Sequence, residues 1–291
     1  MRGWNHYFYL LGVRISARSE RVTRRVSGRC LTSRSQRHEE MTLVNELFIS
    51  PRGNYVYVEI GALDGILYSN TLHLHTCLGW RGVLVEGNRA NYEQLVINVQ
   101  RTRPEAEVHW GAVCAKAQGF VNFTESGGAV AGDLNLMAPR FKKTWGARHG
   151  PRVVRTPCRP MPSYLEKYSR IHFFSLDVEG AEWQVISTLD FGSSAQTKID
   201  VFMIELDGLK ENRERIRARL FEAGYIECLL LVVGSGVFVH RNATNTKPCA
   251  VPSIAVTGEP AAIWGGRAHL PKPKPPCPPA CPSDEHTGQG A

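Results

Sequence analysis

The sequence predicts an α/β fold built on a mostly parallel sheet whose final strand runs antiparallel. Three observations carry that expectation. Short apolar runs rich in β-branched and aromatic residues alternate with amphipathic segments from Tyr55 onward, a Gly-containing turn follows the first run, and the last two runs follow one another with no helix between them. The 291 residues, 43% hydrophobic and 21% charged, suffice for a sizeable core, which excludes a wholly disordered or collagen-like chain.

The predicted strands are YVYVEI (55–60), GVLVE (82–86), EVHWGAV (107–113), IHFFSLD (171–177) and IDVFMIEL (199–206). After the first, Glu59-Ile60-Gly61-Ala62-Leu63-Asp64-Gly65 reads as a turn into a helix beginning near Ser69. Tyr92, Leu95, Val96 and Val99 fall at i, i+3, i+4 and i+7, one apolar stripe facing the sheet. From Val113 to Ile171 the connection is far longer than an ordinary crossover, so an insertion is expected, with FVNFT (120–124) and VVRTPC (153–158) as extra strands. Leu209, Ile216 and Leu220 form a second stripe, and Gly224 sits where a helix C-cap belongs. YIECLLLVV (225–233) and GSGVFVH (234–240) then read as a hairpin turning at Gly234-Ser235-Gly236.

One folded domain, residues 51–241, is expected between an Arg-rich leader (1–50) and a tail (242–291) that holds ten of the 17 prolines. Of the net charge of +8, +6 lies in residues 1–40, leaving the remainder nearly neutral; a nucleic-acid partner is therefore not expected. No apolar stretch reaches the ~18 residues of a membrane span. The leader, rich in Arg and Ser and poor in acids, fits an organellar transit peptide. Two sequons, Asn122-Phe123-Thr124 and Asn242-Ala243-Thr244, with an even count of eight cysteines, suit a secretory lumen instead. A cytoplasmic location stays open, because dispersed cysteines also serve as small buried hydrophobes. Only Cys277 and Cys281 are spaced as a zinc ligand pair, which disfavours zinc.

In an open parallel sheet, ligands bind beyond the carboxyl ends of the strands, where strand order reverses. There the sequence places Glu59, Gly61, Asp64 and Gly65, and, at the end of the second run, Glu86. A Gly turn followed by an acid at the second strand suits an adenosine cofactor, the acid accepting hydrogen bonds from ribose hydroxyls. Leu63 stands where the second Gly of a dinucleotide motif belongs, which counts against the rival reading of an NAD-dependent oxidoreductase. Asp177, with Glu179 two residues on, occupies the end of the fourth run. There Asp177 suits proton abstraction from an acceptor or, alternatively, caps a helix beginning near Ala181. Glu205 and Asp207 offer oxygens that could join Asp177 around Mg²⁺. His73, His75 and His172, and Trp80, Trp110 and Trp183, read as packing or surface residues. Residues 126–160 carry seven cations (Arg140, Lys142, Lys143, Arg148, Arg152, Arg155, Arg159) against Asp133. They read either as a cover that selects an anionic acceptor or as an ordinary solvated loop.

The segments VEIGALDGILYSNTLHLHTCLGWRGVLVEGN, GAVC and FFSLDVEGAEWQVI, within residues 55–240, resemble the FkbM-type family of S-adenosylmethionine-dependent methyltransferases. The resemblance implies a class I methyltransferase fold: a Rossmann-like, seven-stranded, mostly parallel sheet with an antiparallel last strand and helices on both faces. It assigns Glu59, Gly61 and Gly65 to the first cofactor motif and Glu86 to the ribose. It further implies O-methylation of a hydroxyl on a small-molecule or glycan acceptor, a sugar or secondary metabolite. Leu63, His75 and Gly87 depart from the family pattern; a chain that keeps the fold as a non-catalytic binding or trafficking module is the reading outside enzymology.

Overall fold

The structure, a computed structural model, describes residues 30–116, 119–124, 128–129, 131–137, 153–206, 209–229, 232 and 234–249. Seven strands build the main sheet: β1 (Val56–Ile60), β2 (Arg81–Glu86), β3 (Glu107–Trp110), β4 (Phe173–Leu176), β5 (Val201–Glu205), β6 (Tyr225–Cys228) and β7 (Ser235–His240). Their spatial order is β6-β7-β5-β4-β1-β2-β3. β1 pairs in parallel with β2 on one side and β4 on the other, β5 continues in parallel beside β4, and β7 lies antiparallel between β5 and β6. This is the class I methyltransferase architecture.

Because side chains alternate across a strand, each strand feeds two cores. Val58, Ile60, Val85, Phe174 and Ile204 face one layer, where α3 (Glu182–Thr188) contributes Val185 and Ile186 and α4 (Lys210–Glu222) contributes Ile216 and Leu220. Tyr57, Leu84, Phe173 and Met203 face the other, against Leu74 and Leu78 of α1 (Leu72–Leu78) and Leu95 and Val99 of α2 (Arg89–Thr102). Of the expected stripe, Tyr92, Leu95 and Val99 pack here while Val96 is half-buried and outside this core, and Asn88 caps α2 by accepting from Ala90 N at 3.0 Å and Asn91 N at 3.1 Å.

Several boundaries differ from the sequence reading. The helix after the Gly turn begins at Leu72, because Ser69 Oγ accepts from the amides of Thr71 and Leu72 and holds the chain in a turn until then. The run 107–113 breaks at Gly111: β3 stays in the main sheet, while Ala112–Val113 joins Gly119–Thr124 and Val153–Arg159 in a separate three-stranded sheet. The two insertion strands are therefore real, and they pair antiparallel with each other. At the C-terminal hairpin, Ser235 and Gly236 are strand residues, paired with Glu205 and Ile204, so the turn does not lie at 234–236. β6 ends at Cys228, well short of residue 233.

Residues 30–50, expected in a leader, and 242–249, expected in a tail, pack onto the fold. Leu43, Leu47 and Phe48 are buried in the α1/α2 layer, Phe48 bridges to Thr246, and Ile49 N donates to Asn245 O at 3.1 Å. Of the two readings of the cysteines, the folded chain takes the paired one. Disulfides join Cys30 to Cys77, Cys114 to Cys158 and Cys228 to Cys249, which pairs every cysteine among the described residues. Among the described residues no helix is long and apolar enough to cross a membrane.

Candidate functional site

A cavity opens beyond the carboxyl ends of β1, β2, β3 and β4. It is lined by residues 59–63 after β1, Glu86 and Gly87 after β2, residues 111–113 after β3, and Asp177, Val178 and Glu179 after β4. This is the switch point of the sheet, because the connections from β1 run outward in one direction to β2 and β3 and in the other to β4 and β5.

Glu86 sits at its floor, 4% exposed. Its carboxylate accepts from Leu63 N at 2.9 Å and from Asn88 N at 2.7 Å, so one side chain ties the β1 turn to the start of α2. Burial pushes its pKa up to about 7, against the lowering effect of these amide bonds. Leu63 itself has φ 51, a left-handed conformation that aims its N–H at Glu86. Gly87, one of the departures from the family pattern, has Phe123 against it: a Cβ at Gly87 would stand 2.4 Å from the Phe123 ring, which lines the cavity.

Glu59 shares the buried face of Tyr57 and is committed to the fold of the turn. Its oxygens accept from Ser69 Oγ at 2.9 Å, Asn70 N at 2.6 Å and Thr71 Oγ1 at 2.5 Å. Below lies Arg103, fully buried, its guanidinium 3.7 Å from Glu59 and donating to Gly65 O at 2.7 Å, Thr71 Oγ1 at 2.8 Å and Ser69 Oγ at 3.2 Å. Burial raises the pKa of Glu59, and the Arg103 charge opposes that rise. Arg103 escaped the sequence reading, since nothing local separates it from Arg101 two residues before it. Asp64 and Gly65 do not line the cavity. Asp64 Oδ1 accepts from the amides of Ile66 and Leu67, and Gly65 packs under the turn, where a Cβ would meet Leu95 Cδ1 at 2.5 Å.

Asp177 is exposed at the cavity wall and Glu179, with φ 56, stands beside it. Asp177 does not cap the following helix: α3 starts at Glu182, and the loop is held by Glu182 Oε1, which accepts from Val178 N at 3.2 Å and Gly180 N at 3.0 Å. Glu182 is another residue the sequence reading missed. Burial pushes its pKa up to about 7, and the charge of Asp177 adds to that rise.

From the insertion, Gly128, Ala129, Ala131, Asp133 and Leu136 complete the lining, and Asn91 anchors this segment by exchanging hydrogen bonds with Gly128 in both directions. The proposed cations divide. Arg155 lies over the Phe120 ring at 4.4 Å and Arg159 over the Tyr164 ring at 4.1 Å, neither lining the cavity; Arg140, Lys142, Lys143, Arg148 and Arg152 lie outside the described residues. Glu205 does not line the cavity either, and Asp207 lies outside the described residues. The one potential metal-ligand cluster among the described residues is Cys30, His73 and Cys77, whose two sulfurs form a disulfide. The other two histidines named from the sequence make packing hydrogen bonds: His75 Nδ1 lies 3.1 Å from Tyr57 OH, and His172 Nδ1 accepts from Val56 N at 3.0 Å.

The family model for the methyltransferase FkbM domain matches residues 59–227. No curated protein matches the sequence. Among solved structures, the methyltransferase FkbM from Methylobacillus flagellatus KT is 12% identical at a TM-score of 0.39, covering 64% of this chain and 44% of that one. Precorrin-6y C5,15-methyltransferase from Geobacter metallireducens GS-15 is 10% identical at 0.37, covering 73% and 90%. Aeropyrum pernix fibrillarin, solved with natively bound S-adenosyl-L-methionine, is 13% identical at 0.35, covering 70% and 72%.

Proposed function

The chain belongs to the FkbM methyltransferase family, and on that premise we propose that it O-methylates a hydroxyl of a sugar or secondary metabolite with S-adenosylmethionine as donor. The observation that carries this reading is that Glu86 and Asp177, from opposite sides of the β1 turn, line one cavity at the switch point. The donor set fits the cofactor. Glu86 accepts from the Leu63 and Asn88 amides and is held at the end of β2, where an acid can meet ribose hydroxyls. The lining also contains Glu59, Asp133, Asp177 and Glu179 and, among the described residues, no Lys, Arg or His, a field that attracts a sulfonium cation.

Bound there, S-adenosylmethionine supplies a methyl carbon already activated by the sulfonium. The protein's task is then to align the acceptor and take its proton. Asp177, exposed at the wall, is suited to accept that proton from the hydroxyl, and Glu182 holds the loop that presents it. The acidic lining favours a neutral or cationic acceptor over a polyanion; the anionic acceptor suggested by the insertion rests only on cations outside the described residues. Of the oxygens expected to gather around Mg²⁺, Asp177 lines the cavity and Glu205 does not.

The test is calorimetric and kinetic. S-adenosylhomocysteine should bind in the micromolar range and lose affinity in Glu86→Ala. Against an extract of glycans and small hydroxylated metabolites, Asp177→Asn should lower methyl transfer about 100-fold with cofactor affinity nearly unchanged. Binding of NADH with indifference to S-adenosylhomocysteine would overturn the reading in favour of an oxidoreductase. Tight cofactor binding with no transfer to any fraction would favour the non-catalytic module.

A further inference from the structure

We propose that Asn122 and Asn242 are N-glycosylation sites of a chain that acquires its fold in an oxidising, secretory-type lumen. Two independent features carry this. The first is the disulfide set. Cys30–Cys77 pins the segment before the first helical turn to α1, Cys114–Cys158 closes the insertion at its two ends, and Cys228–Cys249 fastens the last described segment to β6. All six described cysteines are used, and they join places distant in sequence, with separations of 47, 44 and 21 residues. Reducing cytosol removes such bonds, whereas an oxidising lumen keeps them.

The second feature is the placement of the sequons. Neither asparagine is needed by the core, and both are exposed. In the strand Gly119–Thr124, Phe123 turns its ring into the cavity, so Asn122, one residue before, projects from the opposite face. Its backbone carbonyl accepts from Leu134 N at 2.9 Å and leaves the side-chain amide outside the sheet. Asn242 lies in the turn just after β7, its backbone N–H donating to His240 Nδ1 at 3.1 Å. A glycan at either position projects into solvent without touching the cavity wall.

Each side-chain amide nitrogen forms a bond to C1 of a sugar as the C1–O bond to a polyprenyl diphosphate breaks. The amide loses one proton, the polyprenyl diphosphate leaves, and no electrons are exchanged. Each pair of thiols gives two electrons and two protons to the disulfide of an exchange protein, which becomes a dithiol.

The experiment expresses the full chain behind a cleavable secretion signal in a eukaryotic host and, in parallel, in the cytosol. The secreted protein should fall in mass in two steps on treatment with a peptide-N-glycosidase, leaving Asp at positions 122 and 242. Asn122→Gln and Asn242→Gln should each remove one step. Peptide mapping without reductant should recover the three linked pairs, and affinity for S-adenosylhomocysteine should stay within twofold after deglycosylation. A secreted, disulfide-bonded chain carrying no glycan at these asparagines overturns the modification. A cytosolic chain with free thiols and the same melting temperature overturns the oxidising lumen. Both outcomes can be read whether or not the chain transfers methyl groups.

Discussion

Gly61 and Asp177 meet backbone to backbone at the ends of two neighbouring parallel strands: a Cβ placed on Gly61 would stand 1.8 Å from the carbonyl oxygen of Asp177. The cofactor turn after β1 and the loop bearing the proposed base after β4 are therefore packed as one unit, with no room for a side chain between them.

Gly61→Ala should damage both. The residue has φ 84, and the added methyl must push the 177–179 loop away, so a cost above about 3 kcal/mol is expected from clash and left-handed strain together. Thermal unfolding and titration with S-adenosylhomocysteine check it; an Ala variant with wild-type affinity and melting temperature would contradict the geometry.

Arg103→Met should destabilise by about 3–5 kcal/mol, because it strands the buried carboxylate of Glu59 and the oxygens of Gly65 and Ser69. In the double variant with Glu59→Gln part of that loss should return, since no unpaired charge is then buried. A double-mutant cycle by chemical denaturation measures the coupling, and strict additivity would remove the proposed ion pair.

Glu182→Gln separates charge from hydrogen bonding. Oε1 of Gln can still accept from Val178 and Gly180. In the folded state Glu182 titrates at about 7, against an ordinary value of 4.5, so burying its charge costs stability that is lost progressively as pH rises from about 4.5 to 7. The variant should therefore nearly match wild type at pH 4 and exceed it at pH 8 by on the order of 1–3 kcal/mol. A melting temperature that rises equally at both pH values, or falls at pH 8, would falsify this assignment.

Leu63→Asn should stabilise by about 0.5–1 kcal/mol, since Asn tolerates the left-handed backbone that Leu adopts here at a cost. The N–H to Glu86 belongs to the backbone and is kept, so S-adenosylhomocysteine affinity should hold within about twofold. A drop in melting temperature would mean that the Leu63 side chain earns more from the cavity wall than its backbone loses.

Much of this was legible in the residues alone. Short, near-continuous apolar runs marked the strands, because burial on both faces of a parallel sheet demands them, and the stripe containing Tyr92, Leu95 and Val99 marked α2. That Gly61, Glu86 and Asp177 border one cavity was legible because strand ends are where such sheets open toward a ligand. Their partners were not. Arg103 reaches the Glu59 carboxylate from 44 positions away in the chain, and Glu182 serves as a loop clamp only because the chain after β4 folds back over it. Asp64 and Gly65 carry the same motif letters as Gly61, yet lie beneath the turn. The cysteine pairing was likewise beyond the sequence, since eight cysteines admit 105 complete pairings and composition prefers none. Local pattern determines which segments pair and which ends they present; which charge is buried against which, and which loop closes on which strand, depends on distances between segments far apart in the chain, and only the folded structure sets those.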